Sequence, residues 1–230
     1  QASERYRAGS PLSPVDGMPF GVKDMYDTAD MPTEMGTPIH KGRQPEFDAA
    51  HVDALRRGGA VMLGKTVTSQ FAIAGAGPTR NPFDTTRTPG ATSSGSAAAV
   101  GAGMVPVATG SHSKGSVIRP AAYCANFAIK PTFGALNRGG IITMARTTDH
   151  LGIMAGSIED MWATAWQIAE VAGGDPGYPG LYGAADPAPP RKPECLIKLD
   201  TCGWAVADPG AKAALEQLIE TLRGADVTII

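Results

Sequence analysis

Residues 89–132 read PGATSSGSAAAVGAGMVPVATGSHSKGSVIRPAAYCANFAIKPT, a run rich in Gly, Ser and Ala and almost free of acidic side chains. Hydroxyls gather at two points, Thr92-Ser93-Ser94 and Ser111 to Ser116. Between them, Ser94 to Met104 predicts a thin helix whose small residues let it lie close on a sheet. Val105 to Thr109 then predicts a buried strand. Gly110 is expected to end it, and Lys114 to Pro120 reads as a tight turn into a short helix. A serine at such a turn sits beside unpaired backbone N–H groups and the positive end of a helix dipole. Donors placed that way hold the oxyanion of a tetrahedral intermediate. The same chemistry also suits a loop that merely turns the chain or binds an anion, so both readings stay open on turn chemistry alone.

Working outward, residues 1–16 read as the end of a polar helix and a connector. Met18 to Met25 predicts a strand with Phe20, Val22 and Asp24 on one face and Gly21, Lys23 and Met25 on the other. Residues 27–46 form a long loop. Residues 47–58 predict an amphipathic helix burying Phe47, Val52, Ala54 and Leu55, and Ala60 to Gly64 a continuous apolar strand of the parallel kind. Helix followed by buried strand indicates a βαβ unit. A helical turn around Ser69–Ala74 leads into a loop that runs to Ala91. Downstream, Gly139 to Met144 predicts a strand and Asp149 to Gly152 a loop near the site. Residues 157–172 predict a helix capped by Ser157, with Glu159 and Asp160 complementing its dipole. Residues 174–193 are a Pro/Gly-rich surface excursion. Cys195–Leu199 (strand), Pro209–Arg223 (helix) and Val227–Ile230 (strand) close the chain. The expected fold is α/β, a single mixed, centrally buried sheet flanked by helices, with residues 1–230 forming one domain.

Composition excludes several classes. A net charge of −2 with no basic stripe argues against a nucleic-acid surface. No stretch reaches the roughly 18 apolar residues of a membrane span. Three scattered cysteines, of which only Cys195 and Cys202 are placed to pair, suit a reduced, cytoplasmic setting. No His/Cys/Asp spacing matches a metal site, so neither metal nor cofactor is expected. His40 and His51 read as structural or solvent-facing. His112, four residues before Ser116, reads as a loop-orienting side chain.

Several blocks together are similar to the amidase signature family of serine hydrolases: GMPFGVKDMYDTADMPT, GKT, GPTRNPFD, PGATSSGSAAAVGAGMVP, GSVIRPAAYC, IKPTFG and TTDHLG. They run in register from about Pro11 to Ala172, closest in flavour to malonamidase-like bacterial amidases. The resemblance implies a Ser–Ser–Lys triad, with Ser116 as nucleophile, Lys23 as general base and Thr92 where the family places a bridging serine after a cis peptide bond. It implies further that Ser113, Lys114, Gly115 and Ser93 line the oxyanion and substrate site. A lysine can serve as that base only if desolvation or dipoles lower its pKa toward ~7–8.

Departures accompany the matches. The family's Gly-Gly-Ser reads Gly90-Ala91-Thr92, and the loop before the nucleophile reads His112-Ser113-Lys114-Gly115. The expected function is hydrolysis of a small-molecule linear amide through an acyl-enzyme, with Thr92 and Lys114 as the substitutions able to impair it. The alternatives are an amidotransferase amidase subunit, or a non-catalytic protein binding an amide or carboxylate on the same fold. A homodimer is left open. Family members are considerably longer, so the expected fold is incomplete here and the chain a fragment.

Overall fold

Five strands make the central sheet, in the order β2-β1-β3-β5-β4. They are β1 (Pro19–Lys23), β2 (Val61–Thr66), β3 (Val107–His112), β4 (Phe127–Ile129) and β5 (His150–Ala155). In the computed structural model, which describes residues 1–73, 75 and 77–230, β1 pairs in parallel with β2 and β3. The pairings β3–β5 and β4–β5 are antiparallel, so the sheet is mixed. Helices α1 (Ala2–Arg7), α2 (Ala50–Arg57), α3 (Ser94–Gly101), α4 (Ile118–Tyr123) and α5 (Ile158–Ala172) accompany it, with a 3₁₀ turn at Pro38–His40 in the long loop.

Alternation along the strands separates two cores. Phe20, Val22, Val107, Leu151 and Ile153 meet Val52 and Leu55 of α2 and Ala165 and Ile168 of α5. On the other face Ala108 and Met154 meet Ala97 and Val100 of α3 and Val117 and Ala121 of α4. That second layer is built from small side chains, and α3 approaches closely for this reason. A Cβ on Gly95 would stand 2.2 Å from the Val67 backbone nitrogen. Lys23, on the same strand face as Gly21, runs into this closely packed layer. Ser157 caps α5 by accepting from Asp160 N at 3.0 Å, as its sequence position predicts.

The structure corrects several local expectations. Gly110 does not end β3, which continues to His112, because hydrogen bonds from β5 hold the strand through the glycine. By the same ladder His150 to Gly152 is strand, not loop. Residues 139–144 form no strand beyond a single bridge between Tyr26 and Ile141. Their amides are taken elsewhere: Ile142 donates to Met25 O, and Met144 to the Asp149 carboxylate. The helix predicted from residue 47 starts at Ala50, and Phe47 is exposed. Of the two readings of His51, the structural one holds. It is fully buried, edge-on to Tyr26 and 3.2 Å from Thr109 Oγ1. β2 is an edge strand that exposes Val61 and Leu63. The turn predicted around Ser69–Ala74 is seen as far as Ile73, whose N–H donates to Gln70 O, and its last residue lies outside the described ones.

The chain divides into two compact units, Gln1–Pro187 and Ala188–Ile230. Within the Pro/Gly-rich segment, Asp175 is buried and accepts from Arg138 Nε at 2.5 Å, while residues 182–194 are all exposed. The second unit holds a short parallel pair, β6 (Cys195–Leu196) and β7 (Thr228–Ile229), with α6 (Cys202–Ala205) and α7 (Pro209–Gly224). Asp208 caps α7 and Pro209 opens it. Cys195 and Cys202 are free and exposed.

Close packing of α3 yields a direct expectation. Gly95→Ala should lower the urea midpoint of unfolding by the equivalent of about 1–3 kcal/mol or more, since backbone must move to admit the methyl. Gly64→Ala, where nothing lies within 4 Å of the added carbon, should stay near wild type.

Candidate active site

Lys23 is the last residue of β1, and its side chain is fully buried. Its Nζ lies 2.8 Å from Thr92 Oγ1 and 2.8 Å from Ser111 Oγ, with Ser111 O at 3.5 Å. Moving an ammonium out of water costs several kcal/mol unless it is well paired. Burial accordingly holds Lys23 well below the ordinary lysine value, with the charge of Asp149 opposing that shift. The amine nearest the hydroxyls is thereby biased toward its neutral, proton-accepting form.

Thr92 follows a cis peptide bond with Ala91, and both Thr92 and Ser93 are buried. The Thr92 carbonyl accepts from Ser69 N at 3.2 Å. Ser69 lines a cavity of about 440 Å³ with Asp24, Thr68 and Gln70, and its own buried hydroxyl has no partner among the described residues. Ser93 N donates to Ser116 O at 3.3 Å, which ties the two hydroxyl clusters of the sequence together. Ser93 Oγ reaches Ser111 O at 3.4 Å.

The turn from Ser113 to Ser116 is held at both ends. His112 Nδ1 accepts from Val117 N at 3.2 Å, so this ring nitrogen carries no proton. Burial, reinforced by His150, Lys130, Lys23 and Arg119, pushes the His112 pKa down to about 4. Gly115 has φ +123°, a left-handed backbone that suits glycine. Lys114 is exposed and is not among the positive-φ residues, so it brings no such strain. Among the described residues, the N–H groups of Lys114, Gly115 and Ser116 have no protein acceptor. Arg119 extends from α4 to Ala91 O at 3.0 Å.

The triad, oxyanion and substrate residues expected from the sequence thus fall in two adjoining segments, with Lys23 reaching both, at Thr92 and at Ser111. Lys23 and Thr92 touch directly, Ser93 and Ser116 meet through backbone, and Lys114 faces outward. Asp24 accepts from Glu34 N at 3.1 Å, pairs with Lys65 of β2 at 3.4 Å and lines the cavity beside Ser69. Two residues were missed. Ser111 shares the lysine with Thr92, and its signal was its place in the second hydroxyl cluster. Asp149, 2% exposed, accepts from Ser113 Oγ and from Met144 N and Ala145 N at 2.7 and 2.9 Å. Among the described residues no group of three or more His, Cys, Asp or Glu is arranged to hold a metal ion, and no helix is long and apolar enough to cross a membrane.

A mixed α/β sheet carrying a buried lysine against hydroxyls and a Gly-Ser turn defines an amidase-like class of protein. The chain belongs to the amidase family, whose model, described as Amidase, matches residues 1–230. It is 35% identical to a glutamyl-tRNA(Gln) amidotransferase subunit of Chloroflexus aggregans, across 100% of this chain and 49% of that protein. Among solved structures it resembles the native peptide amidase of Stenotrophomonas maltophilia, with TM-score 0.76, 30% identity, and 99% and 50% of the two chains covered. It also resembles a protein from a vestigial complex tied to the origins of an s-triazine catabolic enzyme, with TM-score 0.81, 32% identity, and 100% and 52% covered. The chain therefore spans about half the length of these relatives.

A depressed lysine pKa has a defined sign in stability. Between its folded-state value and the unfolded value of 10.5, the unfolded chain binds more protons, so this group makes stability rise with pH. The burial penalty is largest at low pH and vanishes toward 10.5. Lys23→Met should therefore be more stable than wild type at pH 7, with the difference shrinking in urea titrations at pH 8 and 9. Groups that do not interact with Lys23, including buried Tyr26, cancel in that difference, and His112, which does interact with it, titrates near 4, below this window.

Proposed function

We propose that this chain carries the catalytic half-site of an amide hydrolase in which Ser116 is the nucleophile. The observation behind this reading is the 2.8 Å contact between the fully buried Lys23 Nζ and Thr92 Oγ1. Ser116 Oγ attacks the amide carbonyl and gives its proton to Thr92 Oγ1, while the Thr92 proton passes to neutral Lys23. The oxyanion is held by N–H groups of the 113–116 turn, among which Lys114, Gly115 and Ser116 are uncommitted. The protonated lysine returns its proton by the same path to the leaving nitrogen, and the C–N bond breaks to leave an acyl-enzyme and free amine or ammonia. Water then attacks the ester, with the relay running again, to release the acid and restore Ser116. Ser93 and Ser113 hold the turn and relay segments rather than react. The substrate is a linear small-molecule amide, with the cavity beside Ser69 offering room for it. No cofactor is used, and the reaction suits a cytoplasmic enzyme.

A second reading has a specific observation in its favour. Similarity along the whole of this chain to a glutamyl-tRNA(Gln) amidotransferase component supports ammonia release from glutamine for use by partner proteins. On that reading glutamine turnover is low until the partners are added, whereas a free-standing amidase needs none.

Loss of the nucleophile should lower amide turnover by about 10⁴-fold or more in Ser116→Ala. Thr92→Val keeps the shape without the oxygen and should lose most activity, while Thr92→Ser keeps it. Equal turnover in the valine and wild-type proteins would show that no relay operates, and retention of a tenth of the activity in Ser116→Ala would remove it as nucleophile.

A further inference from the structure

Asp149 sets a buried carboxylate against the nucleophile turn, and the β3–β5 ladder explains how it gets there. His112 pairs with His150, so the register continued one step places Ser113 opposite Asp149. The Ser113 hydroxyl donates to Oδ1, and the amides of Met144 and Ala145 donate to Oδ2. Arg138 Nη1 donates to the Asp149 carbonyl at 2.8 Å, fixing the backbone from the other side. The carboxylate is thus immobilised by three donors, and one of them is the first residue of the turn that ends in Ser116.

We infer that Asp149 is a positioning residue with two linked tasks, anchoring the 113–116 turn through Ser113 and acting as the negative counter-charge to Lys23. This deepens the hydrolase reading above and rests on it for its meaning, though not for its test. Among the described residues, Lys23 itself touches only neutral hydroxyl and carbonyl oxygens. The ladder sets Ser111, which holds Nζ at 2.8 Å, opposite Leu151, two residues from Asp149. The titratable groups that interact with Lys23 are Asp149 and His112 on β3. Burial holds His112 neutral near pH 7, so Asp149 supplies the anionic charge. Desolvation alone drives the lysine toward permanent neutrality, and an amine too weakly basic does not hold the proton that a leaving nitrogen must later receive. A fixed carboxylate that does not touch it keeps it basic without an ion pair that would lock it in the protonated form. Direct contact would protonate Lys23 outright; burial without the carboxylate would leave it too acidic.

Asp149→Asn isolates the charge. The amide oxygen takes the two backbone N–H donors, its NH₂ faces Ser113, and the serine hydroxyl turns from donor to acceptor, so the hydrogen-bond count is kept. The Lys23 ¹³Cε resonance, assigned by its loss in Lys23→Met, is followed against pH in the full chain. The midpoint should fall by roughly 0.5–1 pH unit in Asp149→Asn, an opposite charge nearby being worth up to a few units. In Ser113→Ala it should stay where it is, while exchange of the hydrogen-bonded amides that tie the turn down, Val117 N–H on His112 and Ser93 N–H on Ser116 O, accelerates severalfold. Asp149→Ser, which keeps one acceptor and drops the charge, replaces the asparagine variant should that fail to fold. An unmoved Lys23 midpoint in the neutral variants, or unchanged exchange of the turn in Ser113→Ala, overturns the assignment. A Lys23 shift as stated together with full amide turnover in Ser116→Ala would instead reject the hydrolase reading and leave the role of Asp149 standing.

Discussion

Burial of the Lys23 amine is the constraint on which the site depends. A strand of the central sheet ends on this fully buried side chain, and α3 lies close against the sheet because its contact face is Ser, Gly and Ala. The same packing places Thr92, just before that helix, 2.8 Å from Nζ. Fold and chemistry share one cause. The small residues that permit the close layer also create the dry pocket in which a lysine gives up its proton. A larger side chain at Gly95 would lift the helix and admit water, and both the geometry and the depressed pKa would relax together.

Much of this was legible in the sequence. The strand that carries Lys23, the Ser/Ala/Gly helix, the turn at Ser116 and the mixed α/β class follow from period, composition and turn residues, although the sequence predicts a strand running to Met25 and it ends at Lys23. The resemblance brought Lys23, Thr92 and Ser116 into one site, and the structure gives two of them a direct hydrogen bond. What stayed hidden has a single origin. Gly110 reads locally as a strand end, and Asp149 to Gly152 reads as loop, yet the two segments form one antiparallel ladder from Val107–Ala155 to His112–His150. Pairing across some forty residues leaves no local trace. Missing it concealed Ser111 as a partner of Lys23 and Asp149 as the anchor of Ser113. For His51 the sequence leaves structural and solvent-facing readings open for a related reason, because its inward face is set by Tyr26 and Thr109, which its own helix does not reveal.

The departures from the family pattern are absorbed without displacing the lysine. Thr92 keeps its oxygen on Lys23. Lys114 points to solvent from a backbone outside the left-handed region, and Gly115 takes the positive φ. His112 serves as a neutral acceptor for the Val117 amide, so the turn is clamped by an imidazole nitrogen.

The central claim is that Ser116 is made nucleophilic by a neutral Lys23 acting through Thr92. Intact-protein and peptide mass spectrometry after exposure to an alkyl fluorophosphonate tests it most directly. One adduct on Ser116 is predicted, forming faster as pH rises through the Lys23 midpoint and lost in Lys23→Met. No adduct, an adduct on another serine, or a labelling rate indifferent to Lys23 would contradict it.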